Sequence, residues 1–350
     1  MQNTRMVAFL TARERLEIFE RPMPEVRAGE VLVRMKAVGV CGSDVSYFRT
    51  GRTGVGEVTF PHVLGHECAG VVEAVGPGVR DLGPGDRVAV EPGYFCGKCE
   101  QCTAGRYNLC ARMSFMGSAV ADAYGEGALC EYAVRPANLL YRLPAGVGFD
   151  EGALIEPLSV GLHAVRRAGI SAGARAAILG CGPIAVSALM VMRALGVDVA
   201  LMTDMIPDRL SLALSLGALR AADAGGLSPE ALQGLLPEGS LDAVFDTTCS
   251  GDAINASLRW LRKGGSLVEI GVPSGKIALD MQALFVREVS LLSSFRYANT
   301  YPALISLLAA GKLPAAALIS HRFPFREAQS ALCLAASRGA GVMKVMIEFP

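Results

Sequence analysis

The sequence predicts an α/β protein with two parts, a β-rich N-terminal region and a doubly wound parallel sheet. Between Val7 and Leu143, short apolar runs are separated by Gly and Pro, which is typical of short strands in a compact β domain. From Ala174 onward, strand-like runs alternate with helix-length segments, the order expected of a parallel α/β sheet. The last apolar run, VMKVMIEF, could be a strand that returns to the first domain.

Each element follows from its local pattern. In the first region, the short apolar runs VLVRMKAVGV, AGVVEAVG and DRVAV, with GPG at Gly83 to Gly85 between them, are predicted to be strands. In the second region the predicted order is strand AAILG, helix IAVSALMVMRALG, strand VDVALMTD, helix PDRLSLALSLG, strand LDAVFDTT and a helix from Gly251 to Leu261. Strands SLVEIGV and SLLSSF then flank the helix-length MQALFVREV, and the pattern after Phe295 is helical again. Because no repeat or long linker interrupts the chain, we expect the parts to pack closely.

Composition narrows the function classes. In 350 residues, 33 Lys and Arg balance 33 Asp and Glu, and 51% are hydrophobic, so disorder, nucleic-acid binding and attraction to an anionic membrane are not indicated. The N-terminal apolar run ends at Leu10, too short for a signal-peptide core. The run IAVSALMVM is stopped by Arg193, so no membrane span is expected either. These features predict a soluble cytoplasmic protein.

A glycine motif opens the first helix of the parallel sheet. GCGPIA, Gly180 to Ala185, fits G-x-G-x-x-[GA], with Pro183 at the start of the helix. Gly180 would permit a tight turn, Gly182 would let a pyrophosphate approach the backbone, and a small Ala185 would let helix and strand pack closely. The motif alone is a weak signal, but its place between a strand and a helix predicts a dinucleotide site.

The residue that ends the next strand distinguishes the cofactors. Asp204 stands at the distance expected for a carboxylate that binds ribose hydroxyls and repels a 2′-phosphate, which favours NAD over NADP. Arg209 is a reservation, because a guanidinium can meet a phosphate; otherwise it covers the adenine or faces solvent.

Four of the ten cysteines are clustered. Cys96, Cys99, Cys102 and Cys110 have the spacing C-x2-C-x2-C-x7-C. In a chain without an export signal this spacing favours a closed tetrahedral zinc site over disulfides. We therefore predict a structural zinc, away from the chemistry.

A second set of donors is dispersed. Cys41, His66 with Glu67, and Glu156 offer sulfur, nitrogen and oxygen, and a metal with few protein ligands keeps a position for substrate. Singly, each has a structural explanation, as a small core residue, a buried imidazole or a surface carboxylate. His62 is better explained as a loop residue than as a ligand.

Together these motifs resemble one family. CGSD, GHE, the four-cysteine loop, EPLSVG and GCGPIA occur in the order found in zinc-dependent medium-chain dehydrogenases, over the whole chain. GRYNLC, DEGALIEPLSVG and FRYANTYP are most similar to the sorbitol (L-iditol) dehydrogenase type. The resemblance implies a GroES-like domain built from both chain ends, residues 1–156 and 295–350, a Rossmann domain at 157–294, two zinc ions, NAD, and a homotetramer or homodimer.

The resemblance also assigns roles to individual residues. Cys41, His66 and Glu67 would bind the catalytic zinc, Glu156 would join its shell directly or through water, and Ser43 would relay the alcohol proton. The implied cofactor contacts are Gly180, Gly182, Pro183, Ile184, Asp204, Arg209, Gly271, Val272, Ser294, Phe295 and Arg296. The implied substrate contacts are Tyr47, Glu156, Arg296 and Tyr297.

The expected reaction is oxidation of a secondary hydroxyl of a polyol such as sorbitol or xylitol to a ketose. Two features depart from the family pattern. Ser46 stands where many relatives have a histidine, so the last step of the proton relay would use serine or water. The segment from Ser114 to Leu129 is more similar to L-idonate 5-dehydrogenases, which keeps a sugar-acid substrate open. Arg296 suits either a polyol or a sugar acid. Galactitol, threitol and butanediol are further alternatives, as is a zinc- and nucleotide-binding sensor without turnover.

Overall fold

The computed structural model describes residues 3–120, 124–337 and 339–350. Its strands alternate with helices in the order that the sequence predicts for the central part of the chain. The strands are β1 Thr4–Ala12, β2 Arg15–Pro22, β3 Glu30–Gly39, β4 Arg52–Thr53, β5 Gly56–Glu57, β6 Glu67–Val75, β7 Arg87–Val90, β8 Gly93–Tyr94, β9 Ser114–Phe115, β10 Tyr132–Pro136, β11 Leu140–Arg142, β12 Arg175–Leu179, β13 Asp198–Asp204, β14 Ala221–Asp223, β15 Leu241–Asp246, β16 Leu261–Glu269, β17 Ser290–Ser293, β18 Ile319–Pro324 and β19 Lys344–Glu348.

The helices vary widely in length, and the longest carries a proline in its interior. Among the described residues, none combines the length and apolar character that crossing a bilayer would require. The helices are α1 Gly42–Thr50, α2 Glu100–Thr103, α3 Phe149–Ala168, α4 Pro183–Ala194, α5 Pro207–Ser215, α6 Pro229–Gln233, α7 Gly251–Ser257, α8 Met281–Arg287, α9 Tyr301–Ala309 and α10 Ala328–Ser337.

One compact unit contains residues 1–156, 301–311 and 315–350. Its main sheet has the order β11-β7-β6-β3-β19-β18, with β10 also paired to β3. The C-terminal strand β19 runs antiparallel to β3 in this sheet, with Met346 opposite Gly39. The expected return of the C-terminal strand to the first region is therefore confirmed. Alternate residues of β1, β3, β6 and β7 fill a buried apolar core in this unit.

The other unit contains residues 157–300 and 312–314. All six of its strands are parallel, in the order β14-β13-β12-β15-β16-β17. This is the order 3-2-1-4-5-6 of a dinucleotide-binding sheet. Successive strands are added on one side of β12 as far as β14 and then on its other side from β15, so the strand order switches between β12 and β15. Since both faces of such a sheet are covered, its strands are almost continuously apolar, as Val199 to Met202 illustrate. The predicted doubly wound sheet is confirmed.

One local prediction differs from the structure, and two helices were not predicted. The predicted helix from Gly251 to Leu261 is α-helical only to Ser257, then tightens into a 3₁₀ turn, and Leu261 already starts β16. The first region, predicted from its strands, also contains α1 directly after Cys41. The residues around Glu156 belong to α3, which continues through Pro157 because Leu154, Leu158 and Leu162 form a buried stripe at helical spacing.

Candidate active site and metal centres

The four cysteines of the predicted structural site lie together. The Sγ atoms of Cys99 and Cys102 are 3.5 Å apart, and both the Cys96–Cys102 and the Cys99–Cys110 pairs are 3.9 Å apart. Tetrahedral zinc with bonds of about 2.3 Å separates its sulfur ligands by roughly 3.8 Å. The donor set and its spacing therefore fit one zinc ion, and none of these thiols forms a disulfide.

The local backbone prepares this site. Cys99 precedes the short helix α2, and Gly97 takes a left-handed backbone conformation that turns the chain between two ligands. The N–H groups of Cys96 and Arg112 point at Cys110 Sγ, 3.5 and 3.4 Å away. The backbone N–H of Lys98 is the largest cause that lowers the pKa of Cys96, to about 5, which favours the thiolate that a metal needs.

A buried carboxylate fixes this cysteine loop to the β-sheet unit. Tyr107, one turn before Cys110, stacks on Phe95 with ring centroids 4.3 Å apart. Its hydroxyl donates to Glu91 Oε1 at 2.9 Å, and the Tyr141 hydroxyl donates to Oε2 at 2.7 Å. Burial raises the pKa of Glu91 and the two tyrosines partly offset this. The loop is thus held by tertiary hydrogen bonds as well as by its own fold.

The second predicted set is brought together from separate segments. Ligand atoms of Cys41, His66 and Glu67 lie within 4.8 Å of one another. Cys41 stands between β3 and α1, while His66 directly precedes β6, where Glu67 is paired with Gly39 of β3. The sheet register therefore places residues 25 or more positions apart around one point. Sulfur, nitrogen and oxygen donors at this spacing fit a zinc ion.

Glu67 is gripped by a buried cation. Its carboxylate accepts hydrogen bonds of 2.6 and 2.8 Å from Lys344 Nζ, which also donates to Val40 O at 3.1 Å. Glu67 and Lys344 are 0% and 2% exposed. A Cβ on Gly39 would lie 2.2 Å from Glu67 Oε2, so glycine is required beneath this carboxylate. Burial lowers the pKa of Lys344, but Glu67 and Cys41 raise it by more, so its pKa lies above the usual value and the ammonium stays charged.

Asp44 orients the other two residues. Its Oδ2 accepts from the Cys41 N–H at 2.9 Å and its Oδ1 from the Gly65 N–H at 3.1 Å. His66 Nδ1 lies 3.6 Å from Asp44 Oδ1 and forms no hydrogen bond in the structure. Burial lowers the pKa of His66, yet Asp44 and Cys41 raise it well above its usual value. The negative potential that Asp44 and Cys41 create around His66 favours a cation.

Glu156, Ser43 and Ser46 are the remaining residues considered for the catalytic chemistry. Glu156 is buried in α3 and is not part of the three-residue group, although its charge contributes to raising the pKa of Lys344. Ser43 is half-buried in the first turn of α1. The Ser46 hydroxyl is turned back onto its own helix and donates to Gly42 O at 3.0 Å, so it is held in a local bond.

Tyr47, predicted as a substrate contact, is a buried residue of α1. It is 1% exposed, and its hydroxyl accepts from the N–H of Ala119 and is 3.0 Å from Thr53 Oγ1. In this structure Tyr47 links α1 to the segment from Ser114, which is expected to line the substrate site. Residues 121–123 of that segment lie outside the described residues. His62 exchanges backbone hydrogen bonds with Leu10 and belongs to the loop before His66.

The glycine motif adopts the predicted strand-turn-helix form. Gly180 has a φ of 96°, and a Cβ there would lie 2.4 Å from Thr247 Oγ1, so the fold itself requires this glycine. Gly182 caps α4, no side chain caps that end of the helix, and nothing lies within 4 Å of the place of its absent Cβ. This open space beside free helix amides fits a phosphate group. Pro183 begins α4, Ile184 follows it, and Ala185 is fully buried.

Asp204 ends β13 and faces the same turn. Its Oδ2 accepts from the Cys181 N–H at 2.7 Å, and its Oδ1 accepts from the N–H groups of Met205 and Ile206. These bonds fix the carboxylate, whose remaining lone pairs can accept ribose hydroxyls. Arg209 lies half-buried on α5, near enough to lower the pKa of Cys181, which burial raises overall. Asp204, which is predicted to favour NAD, and Arg209, which could meet a 2′-phosphate, therefore both lie near Cys181.

The other predicted cofactor and substrate residues follow β16 and β17. Gly271 is packed so closely that a Cβ would meet Cys249 Sγ at 2.5 Å, whereas Val272 is largely exposed. Ser294 is buried with an unpartnered hydroxyl. The Arg296 guanidinium lies 5.0 Å from the Phe295 ring, and Tyr297 is buried.

Sequence reasoning missed three residues of the Cys41 site. Asp44 and Lys344 contact the predicted ligands, and Gly39 makes room for Glu67. A signal existed for Lys344, because a lysine among apolar residues in VMKVMIEF implies a buried anionic partner. The sequence carries no comparable signal that the partner is Glu67.

Comparisons with known proteins agree with this architecture. The family models for the alcohol dehydrogenase GroES-like domain and for zinc-binding dehydrogenase match residues 27–145 and 183–310. A sorbitol dehydrogenase of Gallus gallus is 40% identical, over 99% of this chain and 96% of the relative. An L-idonate 5-dehydrogenase of Vitis vinifera is 38% identical, over 98% and 94%. A crystal structure of a short chain alcohol dehydrogenase from Escherichia coli CFT073 with NADH superposes with a TM-score of 0.90 at 27% identity, covering 99% of this chain and 100% of that one.

The match spans nearly the whole chain, and it includes both the β-sheet unit and the parallel-sheet unit. The resemblance inferred from the motifs is thereby confirmed, as are the GroES-like and Rossmann parts of the predicted fold. The chain belongs to the zinc-binding alcohol dehydrogenase family, oxidoreductases that act on alcohols.

Proposed function

We propose that this protein oxidises a secondary hydroxyl of a polyol of the sorbitol, L-iditol or xylitol class to a ketose, with NAD as hydride acceptor. The observation that carries the proposal is the Cys41, His66 and Glu67 donor group, together with a buried Glu156 whose charge reaches Lys344, the partner of Glu67. Two carboxylates, rather than a set of thiolates, suit a site that must also bind hydroxyl-rich substrates and water. The 40% identity to a sorbitol dehydrogenase supports the same substrate class.

Two zinc ions and one NAD fit the residues present. Cys96, Cys99, Cys102 and Cys110 would hold the structural zinc. Cys41, His66 and Glu67 would hold the catalytic zinc, with Glu156 in its shell directly or through water. When bound, zinc supplies a Lewis acid that makes the substrate hydroxyl easier to deprotonate, and NAD supplies the hydride acceptor.

The chain's own groups orient the ligands and move the proton. Asp44 fixes the Cys41 backbone and faces His66 Nδ1, which leaves Nε2 as the nitrogen available to a metal. Ser43 would accept the substrate proton and pass it toward solvent. Because the Ser46 hydroxyl is committed to Gly42 O, water is the next acceptor in this relay. Glu156 would hold the hydroxyl or water at the metal in position.

NAD is preferred over NADP because of Asp204. Its carboxylate, fixed by three backbone N–H groups, would accept the ribose hydroxyls and repel a 2′-phosphate. The open space at Gly182 would take the pyrophosphate. The remaining proposed cofactor contacts are Gly180, Pro183, Ile184, Arg209, Gly271, Val272 and Ser294 to Arg296.

A sugar acid is the second candidate substrate. The Vitis vinifera relative is an L-idonate 5-dehydrogenase at 38% identity, close to the value for the sorbitol enzyme. Arg296 could bond polyol hydroxyls or clamp a carboxylate through two N–H groups. Tyr297 and Tyr47 are the further proposed substrate residues, and the Tyr47 hydroxyl also holds the Ala119 N–H.

Initial rates of NADH formation across a panel of polyols and aldonates test the proposal. We expect turnover with sorbitol, xylitol or L-iditol and a strong preference for NAD. In Glu156→Gln the rate should fall by about 100-fold or more with both zinc ions retained. Preference for L-idonate over every polyol would favour the second candidate, and no turnover with zinc and NAD bound would favour a sensor.

We also propose a homotetramer or homodimer. The outermost strand β17 of the parallel sheet has one unpaired edge within the described chain, and exposed apolar side chains surround it. Exposed edges of this kind pair with another chain. These side chains are Met281, Phe285, Val286 and Leu291.

We further propose a cytoplasmic location, where thiols stay reduced, because it suits ten free cysteines. The proposed domain bounds are 1–156 and 295–350 for the GroES-like domain and 157–294 for the Rossmann domain.

A further inference from the structure

A third group of metal-binding side chains lies in the parallel-sheet unit, apart from the two zinc sites. Asp246 ends β15, Cys249 follows three residues later, and Glu269 ends β16, the neighbouring parallel strand. Their ligand atoms all lie within 4.8 Å of one another. The proposed activity uses none of these three side chains. They are gathered because the carboxyl ends of parallel strands meet at the same edge of the sheet.

The backbone holds two of the donors in place. Asp246 Oδ1 accepts from the hydroxyl of Thr248 at 2.6 Å, and Oδ2 accepts from the Cys249 N–H at 2.7 Å. Oδ1 also accepts from the Thr248 N–H at 3.2 Å, so Oδ2 is the oxygen that keeps a lone pair for an ion. Ligating carboxylates in metal sites are oriented by such hydrogen bonds. Cys249 has a φ of 56°, and from this left-handed conformation its Sγ reaches Glu269 Oε1 at 3.7 Å.

The separation of Cys249 Sγ and Glu269 Oε1 is close to the one that a shared metal ion would impose. Tetrahedral zinc, with bonds of about 2.0 Å to oxygen and 2.3 Å to sulfur, separates the two ligands by roughly 3.5 Å. The sulfur atoms of the four-cysteine site are likewise 3.5 to 3.9 Å apart. The Cys249–Glu269 pair can therefore share one ion with little movement, and the mixture of thiol and carboxylates in the group suits a borderline-soft divalent ion.

The charge at this place is unbalanced. Asp246 is fully buried, and within the described residues neither Asp246 nor Glu269 forms an ion pair. Burial first, and then the neighbouring Asp246, raise the pKa of Glu269 to about 8. Burial and the two carboxylates raise the pKa of Cys249 to about 11. Without a cation, protons neutralise the group; Cys249 and Glu269 are half-buried, so an ion has access from solvent.

We propose that Asp246, Cys249 and Glu269 form a third metal-binding site, for Zn²⁺ or a divalent ion of similar softness, with solvent water completing the shell. On binding, the ion would replace the protons of the Cys249 thiol and the Glu269 carboxyl, which are released to solvent. The site adjoins Gly271, where a Cβ would lie 2.5 Å from Cys249 Sγ and 2.9 Å from Glu269 Oε1.

Zinc stoichiometry tests the site without relying on turnover. Purified protein is dialysed against buffered micromolar free Zn²⁺ at about pH 9 and about pH 6.5, and zinc per chain is measured by elemental analysis. Wild type should hold one equivalent more than Cys249→Gly at the higher pH. That variant should fold, because glycine adopts the positive φ of residue 249 without strain. At the lower pH the difference should shrink severalfold, because protons compete with the ion.

Two further variants complete the test. Glu269→Gln should also lose one equivalent, whereas Cys333→Ser, which removes an exposed thiol elsewhere, should keep it. The comparison is a difference between variants, so it does not depend on how many ions the two proposed zinc sites hold. Equal zinc content in wild type, Cys249→Gly and Glu269→Gln at the higher pH would overturn the proposal and leave a proton as the occupant.

Discussion

The two sites that fit zinc in the β-sheet unit are built in opposite ways. All four donors of the cysteine site come from the segment Cys96–Cys110, and three of the four thiols are only half-buried. The other site combines Cys41, the His66–Glu67 pair and Lys344, which meet only because β3 pairs with both β6 and β19. One site is a local loop, and the other is a product of the whole sheet.

The two sites also differ in what surrounds the donors. Around the thiols, backbone N–H groups supply the orienting contacts, as those of Cys96 and Arg112 do for Cys110. Around the second site the partners are charged side chains, Asp44 against His66 and Lys344 against Glu67. Each buried charge lowers the stability by several kcal/mol unless it is paired. The second site therefore costs more folding free energy than the first, and its charged partners can alter the metal affinity of the ligands. We therefore expect the first to govern stability and the second to govern rate.

Replacing Cys41 with Ser should have the largest effect. The weaker hydroxyl ligand would loosen the ion that activates the alcohol, and kcat/KM should fall by roughly 10⁴-fold or more, equivalent to about 5.5 kcal/mol of barrier. Cys41 lies at a helix N-terminus that Asp44 still caps, so the fold should be kept. Steady-state kinetics, zinc analysis and circular dichroism of the same preparation measure this.

Cys102→Ser is the matched change at the other site. It should release the structural ion and lower the stability by about 5 kcal/mol, because metal binding there contributes directly to folding. The rate per folded molecule should change far less than in Cys41→Ser. If the two variants lost rate to the same degree, the division of labour between the sites would be wrong.

Lys344→Met tests whether the buried ion pair supports the second site. Removing the ammonium leaves Glu67 charged and unpaired, which should cost about 3–5 kcal/mol of stability. It should also lower the zinc affinity of this site by about 10- to 100-fold, as loss of the residue that orients a ligand does. Thermal unfolding and a competitive chelator titration measure the two effects. Lys276→Met, at an exposed position, is the control and should leave both unchanged.

The same contrast explains what the sequence could predict. The cysteine loop is a compact pattern whose spacing alone predicts its site, and the glycine motif becomes informative through its place between a strand and a helix; the structure has both arrangements. The parallel sheet could also be predicted, because alternating strands and helices restrict the topology strongly. The pairing of Lys344 with Glu67 is not legible, because it depends on which strands become neighbours across the sheet.

Tertiary packing determines features that local sequence patterns do not show. The helix α3 continues through Pro157, since the buried leucines at helical spacing outweigh one lost hydrogen bond. The Tyr47 hydroxyl, whose place in the substrate site stays a prediction, accepts from Ala119 and Thr53, in segments that the motif around Tyr47 does not indicate.

The smallest effect is expected where the cysteine loop does depend on the rest of the sheet. Tyr107→Phe removes the hydrogen bond to buried Glu91 but keeps the ring on Phe95, so stability should fall by about 1–3 kcal/mol. Within the described part of the chain, the Glu91 carboxylate would then retain only the hydrogen bond from the Tyr141 hydroxyl. Chemical denaturation measures the loss, and chelation kinetics should show faster zinc release with kcat unchanged. Tyr94→Phe, on the neighbouring strand, is the control; an equal loss there would mean that the loop is stabilised by its own thiols and amides alone.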